Sequence, residues 1–136
     1  MGGGSWYRAG MTGPKEFHKV GEIDGVKVIQ RIKIVNPHDK RSFDVPTYSN
    51  TADTMYLAKD KDGNLYQLRL FKNHEVTIDF DWTHDHLSEK GKEDIFRVHV
   101  HEWPNHSRNN QGRWLTDEEW NQYGNLLKKI DKRLHK

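Results

Sequence analysis

The chain has 136 residues, enough for one domain; 33% are hydrophobic and the formal net charge is only +2. Leu, Ile, Val and Phe together number 29, just above the level of disordered chains, and five each of Trp, Tyr and Phe supply large surfaces to bury, so a folded domain with a thin core is expected. The absence of cysteine excludes disulfides, thiolate zinc sites and a cysteine nucleophile, and no apolar stretch is long enough for a membrane span or a signal peptide.

Residues 1–14, opening Met1-Gly2-Gly3-Gly4, read as a flexible leader, and residues 15–136 as a single α+β domain. Strands are expected over Phe17–Ile23 and residues 26–35, joined at Asp24-Gly25, a dipeptide that tolerates positive φ at both central positions of a tight hairpin. Residues 36–53, with Asn36-Pro37 and Val45-Pro46, read as loop. A second hairpin pairs 55–59 with 65–71 across Asp60-Lys61-Asp62-Gly63-Asn64, a turn cluster too short for a calcium loop and lacking its distal Glu. The third hairpin pairs residues 74–82 with 95–103. Its first strand places Val76, Ile78, Phe80 and Trp82 on one face and Thr77, Asp79 and Asp81 on the other. Its second strand places Phe96, Val98 and Val100 opposite Arg97, His99, His101 and Trp103, and Pro104 ends it. The last element is a helix. Thr116 and Glu119 form a capping box, and Trp120, Tyr123, Leu127, Ile130 and Leu134 recur at helical spacing as a core-facing stripe. Lys128, Lys129, Lys132, Arg133 and Lys136 crowd its C-terminal half, where cations suit the dipole, and read as a solvated face. The expected architecture is an antiparallel sheet of about five or six strands with this one amphipathic helix packed on a face.

Nine histidines stand in the chain, and His84-Asp85-His86 and His99-Val100-His101 each place two imidazoles on one side of an extended strand. Pairing the third hairpin puts Asp79 and Asp81 on the same face as Arg97, His99 and His101. Three readings stand side by side. In the first, His99 and His101, helped by His84 or His86, act as general acid and base in metal-free RNA cleavage. Asp79 or Asp81 then orients an imidazole, Arg69 or Arg97 holds the phosphate, and Trp103 lies beside the substrate. In the second, His84, His86, His99 and His101 with an Asp hold a divalent metal such as zinc, although no cofactor is required by the first reading. In the third, the cluster is a solvated face whose His–Asp pairs are worth well under about 1 kcal/mol each.

Several segments carry a resemblance: Tyr48-Ser49-Asn50-Thr51, Asp62-Gly63-Asn64, Gln67-Leu68-Arg69, Ile78-Asp79-Phe80-Asp81-Trp82, His84-Asp85-His86, His99-Val100-His101-Glu102-Trp103 and Leu115-Thr116-Asp117-Glu118-Glu119. Over residues 48–123 this succession resembles small domains of Gram-positive phages and mobile elements, some similar to the C-terminal toxin domains of bacterial polymorphic toxins. The resemblance implies an α+β nuclease of the barnase–EndoU–colicin–RelE type. Its partners would be RNA and a cognate inhibitor, or phage particle proteins, with no membrane, in a bacterial cytoplasm or a phage particle. A fainter likeness, of Trp6-Tyr7-Arg8 and Tyr48-Ser49-Asn50-Thr51 to ADP-ribosyltransferases, lacks the closing E-x-E, and Glu102 stands alone.

Overall fold

Asp24 and Gly25 both take positive φ (53° and 80°), the left-handed pair that turns β2 (Phe17–Ile23) directly into β3 (Val26–Arg31). The computed structural model of the protein describes residues 6–7, 17–31, 48–49, 51–60, 62–83 and 87–136. Most of the expected leader and most of the expected loop over residues 36–53 lie outside them, while Trp6–Tyr7 and Tyr48–Ser49, from within those two stretches, form short strands. Within them the remaining strands are β1 (Trp6–Tyr7), β4 (Tyr48–Ser49), β5 (Thr54–Lys59), β6 (Leu65–Lys72), β7 (Glu75–Asp81), β8 (His99–Glu102) and β9 (Arg113–Trp114), followed by helix α1 (Asp117–Ile130).

The chain is therefore α+β, as expected, but the described residues hold nine strands in one sheet where five or six were expected. The order is β1-β4-β7-β6-β5-β3-β2, with β8 paired to β7 and β9 paired to β8. The extra strands are two-residue pieces, too short to show alternation. The sheet is also mixed: β3 runs parallel to β5, and β1 parallel to β4. A parallel neighbour requires a long crossover rather than a turn, and pairing of that kind leaves no local mark in the sequence.

The second hairpin forms as read. Asp60 accepts the backbone N–H groups of Asp62 and Asn64, each at 2.9 Å, so this carboxylate builds the turn. The third hairpin differs in two places. β7 carries a bulge, because Leu70 pairs with Ile78 while Phe71 pairs with Val76. The extra residue, Thr77, moves Val76 off the face of Ile78 and Phe80 and into a cluster with Tyr56 and Phe71 on the other side. The returning strand begins only at His99. Upstream, the Asp94 carboxylate accepts from Phe96 N (2.9 Å) and its carbonyl from Arg97 N (3.1 Å), which folds residues 94–97 into a turn.

One face of the sheet, with Val28, Leu57, Leu68, Phe80 and Val100, packs against Leu126 and Leu127 of α1 and makes the main core. Both halves of the capping box are present: Glu119 N donates to Thr116 Oγ1 (3.1 Å) and Thr116 N to Glu119 Oε1 (2.9 Å). The helix ends at Ile130, one turn before the end of the apolar stripe. Asp131 is extended and its carboxylate takes Arg133 N at 2.9 Å. Leu134 still reaches the core, carried there by the tail, where His135 bonds to the backbone of Phe96 and Val98. Gly124 sits beneath Trp120. A Cβ there would lie 3.2–3.3 Å from three atoms of that ring, so crowding offsets the helix propensity alanine would add.

Glu119 is also gripped by Arg113, at 2.6 and 2.9 Å, and Arg113 reaches Glu102 at 2.6 Å, which ties α1 to β8 and β9. Burial pushes the Glu119 carboxyl up, but hydrogen bonds from Arg113 and Thr116 and the Arg113 charge outweigh it and hold it below the ordinary value of 4.5. A depressed carboxyl stabilises the fold above its unfolded value, and that stability is lost as pH falls through the folded value. Glu119→Gln keeps the capping geometry and removes the charge. It is expected to cost about 1 kcal/mol at neutral pH. The deficit should begin to shrink as pH falls below 4.5 and vanish once pH is below the folded value, as urea midpoints measured across acid pH would show. A deficit independent of pH would mean that the charge contributes nothing.

Candidate functional site

The sheet face away from α1 is apolar under β3 and β5, through Ile29, Tyr56 and Ala58, and polar across β6, β7 and β8. Two cross-strand rows follow from the register. One runs Tyr56, Arg69, Asp79, His101; the next runs Ala58, Gln67, Asp81, His99 and ends at Trp114 on β9. Period two is the cause. Leu68, Phe80 and Val100 turn toward the helix, so the residues flanking each of them turn away from it. Asp79 and His99 are 0% exposed, His101 1% and Asp81 3%. A carboxylate at that depth costs several kcal/mol unless it is paired and hydrogen-bonded.

The pairing is supplied largely by the segment that follows β8. Pro104–His106 forms one 3₁₀ turn, with Asn105 in the left-handed region (φ 51°), and turns the chain back over the polar face. Arg108 then forks onto Asp79, Nε to Oδ2 and Nη2 to Oδ1, each at 3.0 Å, with Nη2 also 3.5 Å from Asp81 Oδ2. Burial works against the Arg108 charge, but the Asp79 hydrogen bonds and the charges of Asp79 and Asp81 outweigh it and raise its pKa. Trp103 Nε1 donates to Asp79 Oδ2 at 2.8 Å, and its ring lies under the Arg69 guanidinium, 4.6 Å from the centroid. Arg69 Nε donates to Gln67 Oε1 (2.9 Å), and Gln67 Nε2 to Asp81 Oδ2 (3.3 Å). Thr83 gives Asp81 Oδ1 both its N–H (3.1 Å) and its hydroxyl (3.0 Å).

The two imidazoles meet at their Nε2 atoms, 3.1 Å apart, with the rings nearly perpendicular. His101 Nδ1 lies 2.8 Å from the Asn109 carbonyl oxygen. A carbonyl only accepts, so His101 carries a proton on Nδ1; in the neutral form of the ring Nε2 then presents a lone pair. His99 then donates from Nε2 and keeps its own lone pair at Nδ1. The result is a directed chain from His99 Nε2–H to His101 Nε2, and from His101 Nδ1–H to a backbone oxygen. Two guanidinium groups, Arg69 and Arg108, stand beside the two carboxylates, Asp79 and Asp81, in the same cluster.

Of the residues singled out in the sequence, the fold thus gathers Asp79, Asp81, His99, His101, Arg69 and Trp103. Arg97 stacks on Trp114, its guanidinium 3.6 Å from the ring centroid, at the end of the row that runs through His99. His84 and His86 lie outside the described residues. Among the described residues no group of three or more His, Asp or Glu is placed to hold a metal ion. Arg108 and the Asn109 carbonyl were not anticipated. They stand in a polar loop without periodicity, and the one available hint was the return forced by Trp103-Pro104-Asn105.

Fold and site together define an α+β sheet protein with its helix on one face and a charge-balanced Asp–Arg–His cluster on the other. Comparison with protein-family models, with curated proteins and with solved structures found no match. No helix among the described residues is long and apolar enough to cross a membrane.

Proposed function

We propose that this chain is a toxin-like, metal-independent ribonuclease domain of phage or mobile-element origin, working in a bacterial cytoplasm on RNA and restrained by a cognate inhibitor. The supporting observation is the imidazole pair of His99 and His101, Nε2 to Nε2 at 3.1 Å, on the same sheet face as the guanidinium groups of Arg69 and Arg108. His99 Nδ1 takes the proton of a ribose 2′-hydroxyl, and His101 shares the charge through Nε2. The 2′-oxygen attacks phosphorus and the bond to the 5′-oxygen breaks. That oxygen takes a proton from a second group as the imidazole pair keeps the first, leaving a 2′,3′-cyclic phosphate and a 5′-hydroxyl. Arg69 and Arg108 hold the phosphate, and His84 or His86 is the candidate for a separate proton donor.

The test is incubation of the purified chain with single-stranded RNA across pH, with and without EDTA. Cyclic-phosphate products, a rate that falls on both sides of an optimum and indifference to EDTA support the reading. Cleavage abolished by EDTA supports instead a hydrolase using His84, His86, His99 and His101 as metal ligands. The burial of both imidazoles favours a second reading, in which the cluster is an internal polar scaffold of a non-catalytic phage structural or binding domain. No cleavage under any condition supports that one.

A further inference from the structure

His99 and His101 are sealed from solvent, so a substrate reaches them only if something moves. Among the described residues, 105–111 is held against His101 and Asp79. Between Pro104 and Gly112 its sequence is Asn-His-Ser-Arg-Asn-Asn-Gln, without one apolar side chain. Pro104, Asn105, Ser107, Asn109, Asn110 and Gln111 are exposed. The segment lies down through polar contacts: Arg108 on Asp79, the Asn109 carbonyl on His101, and Asn109 N on the Glu102 carbonyl at 2.7 Å. A stretch that buries no apolar area opens at the low end of a protein's range of local stabilities. Its charged anchor, Arg108, keeps 27% of its side chain exposed, while the Asp79 carboxylate is wholly covered.

We propose that residues 105–111 form a strap latched by Arg108, and that Arg108 is a phosphate-binding residue which exchanges the Asp79 carboxylate for a phosphate group as the strap lifts from His101. The guanidinium fork that takes two carboxylate oxygens in parallel takes two phosphate oxygens in the same geometry, so the exchange replaces one bidentate pair with another. The part of the strap that leaves is also the part that fixes the His101 tautomer, through Asn109. Release of the latch and freeing of the proton chain are therefore one event. That the strap opens for a phosphodiester rests on the ribonuclease reading; the latch itself is tested without cleavage.

The experiment measures the rate of His101 carbethoxylation by diethyl pyrocarbonate, mapped by peptide mass, together with amide exchange of residues 105–111. The probe is inorganic phosphate, with chloride at equal ionic strength as control. Arg108→Lys keeps the charge and loses the fork; it is expected to label His101 about tenfold faster than wild type. In the wild type, phosphate should raise both labelling and strap exchange to a plateau while chloride does not, and in Arg108→Lys phosphate should add little. Labelling of a folded Arg108→Lys protein at the wild-type rate overturns the latch, as does a wild type indifferent to phosphate. Should the variant not fold, the wild-type phosphate response decides alone. A responsive strap in a protein that cleaves no RNA keeps the latch and overturns the ribonuclease, and an unresponsive strap in an active enzyme does the reverse.

Discussion

Arg108→Ala is expected to destabilise the protein by about 3–5 kcal/mol, more than the removal of its partner, although the two changes break the same ion pair. The asymmetry comes from depth. Asp79 is fully buried, so truncating Arg108 leaves an ionised carboxylate that still accepts from the Trp103 indole N–H at 2.8 Å. Arg108 is partly exposed, and after Asp79→Asn it can turn to water or to Asp81, already 3.5 Å away. The asparagine keeps the shape and still accepts from Trp103, so a cost of about 1–2 kcal/mol is expected for Asp79→Asn. The double variant should recover part of the Arg108→Ala loss, with a coupling of about 1–3 kcal/mol for groups in direct contact. Urea unfolding of the four proteins measures this. Equal costs for the two single changes, or an Arg108→Ala effect within about 0.5 kcal/mol of wild type, would show that water reaches the pair and screens it.

The second large effect falls on activity. Replacing either imidazole is expected to lower RNA cleavage by about 10²–10⁴-fold, the range contributed by general acid–base groups. The two positions should differ in kind. His99→Gln removes the lone pair that accepts the substrate proton and should abolish the pH dependence along with the rate. His101→Gln leaves His99 in place and removes the ring that shares its charge. The residual rate should keep a pH optimum, displaced from that of wild type. Initial rates across pH with a short oligoribonucleotide, alongside far-UV spectra to establish that the fold persists, separate these outcomes. Full activity in both variants would remove His99 and His101 from the chemistry.

Much of this site was legible before any fold was known. Alternation puts Asp79 and Asp81 together on one side of β7, and the two-residue spacing of His99 and His101 does the same on β8, so pairing the two strands suffices to join them. Gln67 and Arg69 enter by the same rule, flanking Leu68 on β6. Arg97 shows where alternation stops: the Asp94 turn delays the strand until His99, and the guanidinium stacks on Trp114. Val76 shows the same limit, since one bulged residue at Thr77 reverses its face. Arg108 was out of reach, because a loop side chain has no period to betray its direction.

What the amino-acid order alone determined are the features that rest on neighbours in the chain: the Asp24-Gly25 turn, the Asp60 turn, the alternation of β6, β7 and β8, and the capping box that starts α1. Their energies lie in local dihedral preferences and in hydrogen bonds a few residues long. What only the tertiary structure decided are the parallel pairing of β3 with β5, the sealing of the imidazole pair and the return of Arg108 to Asp79 across 29 residues. Each of these depends on burial, and burial is a property of the assembled sheet and its covering loop. A carboxylate that would be unremarkable on an open strand becomes, under that loop, a group the fold must neutralise.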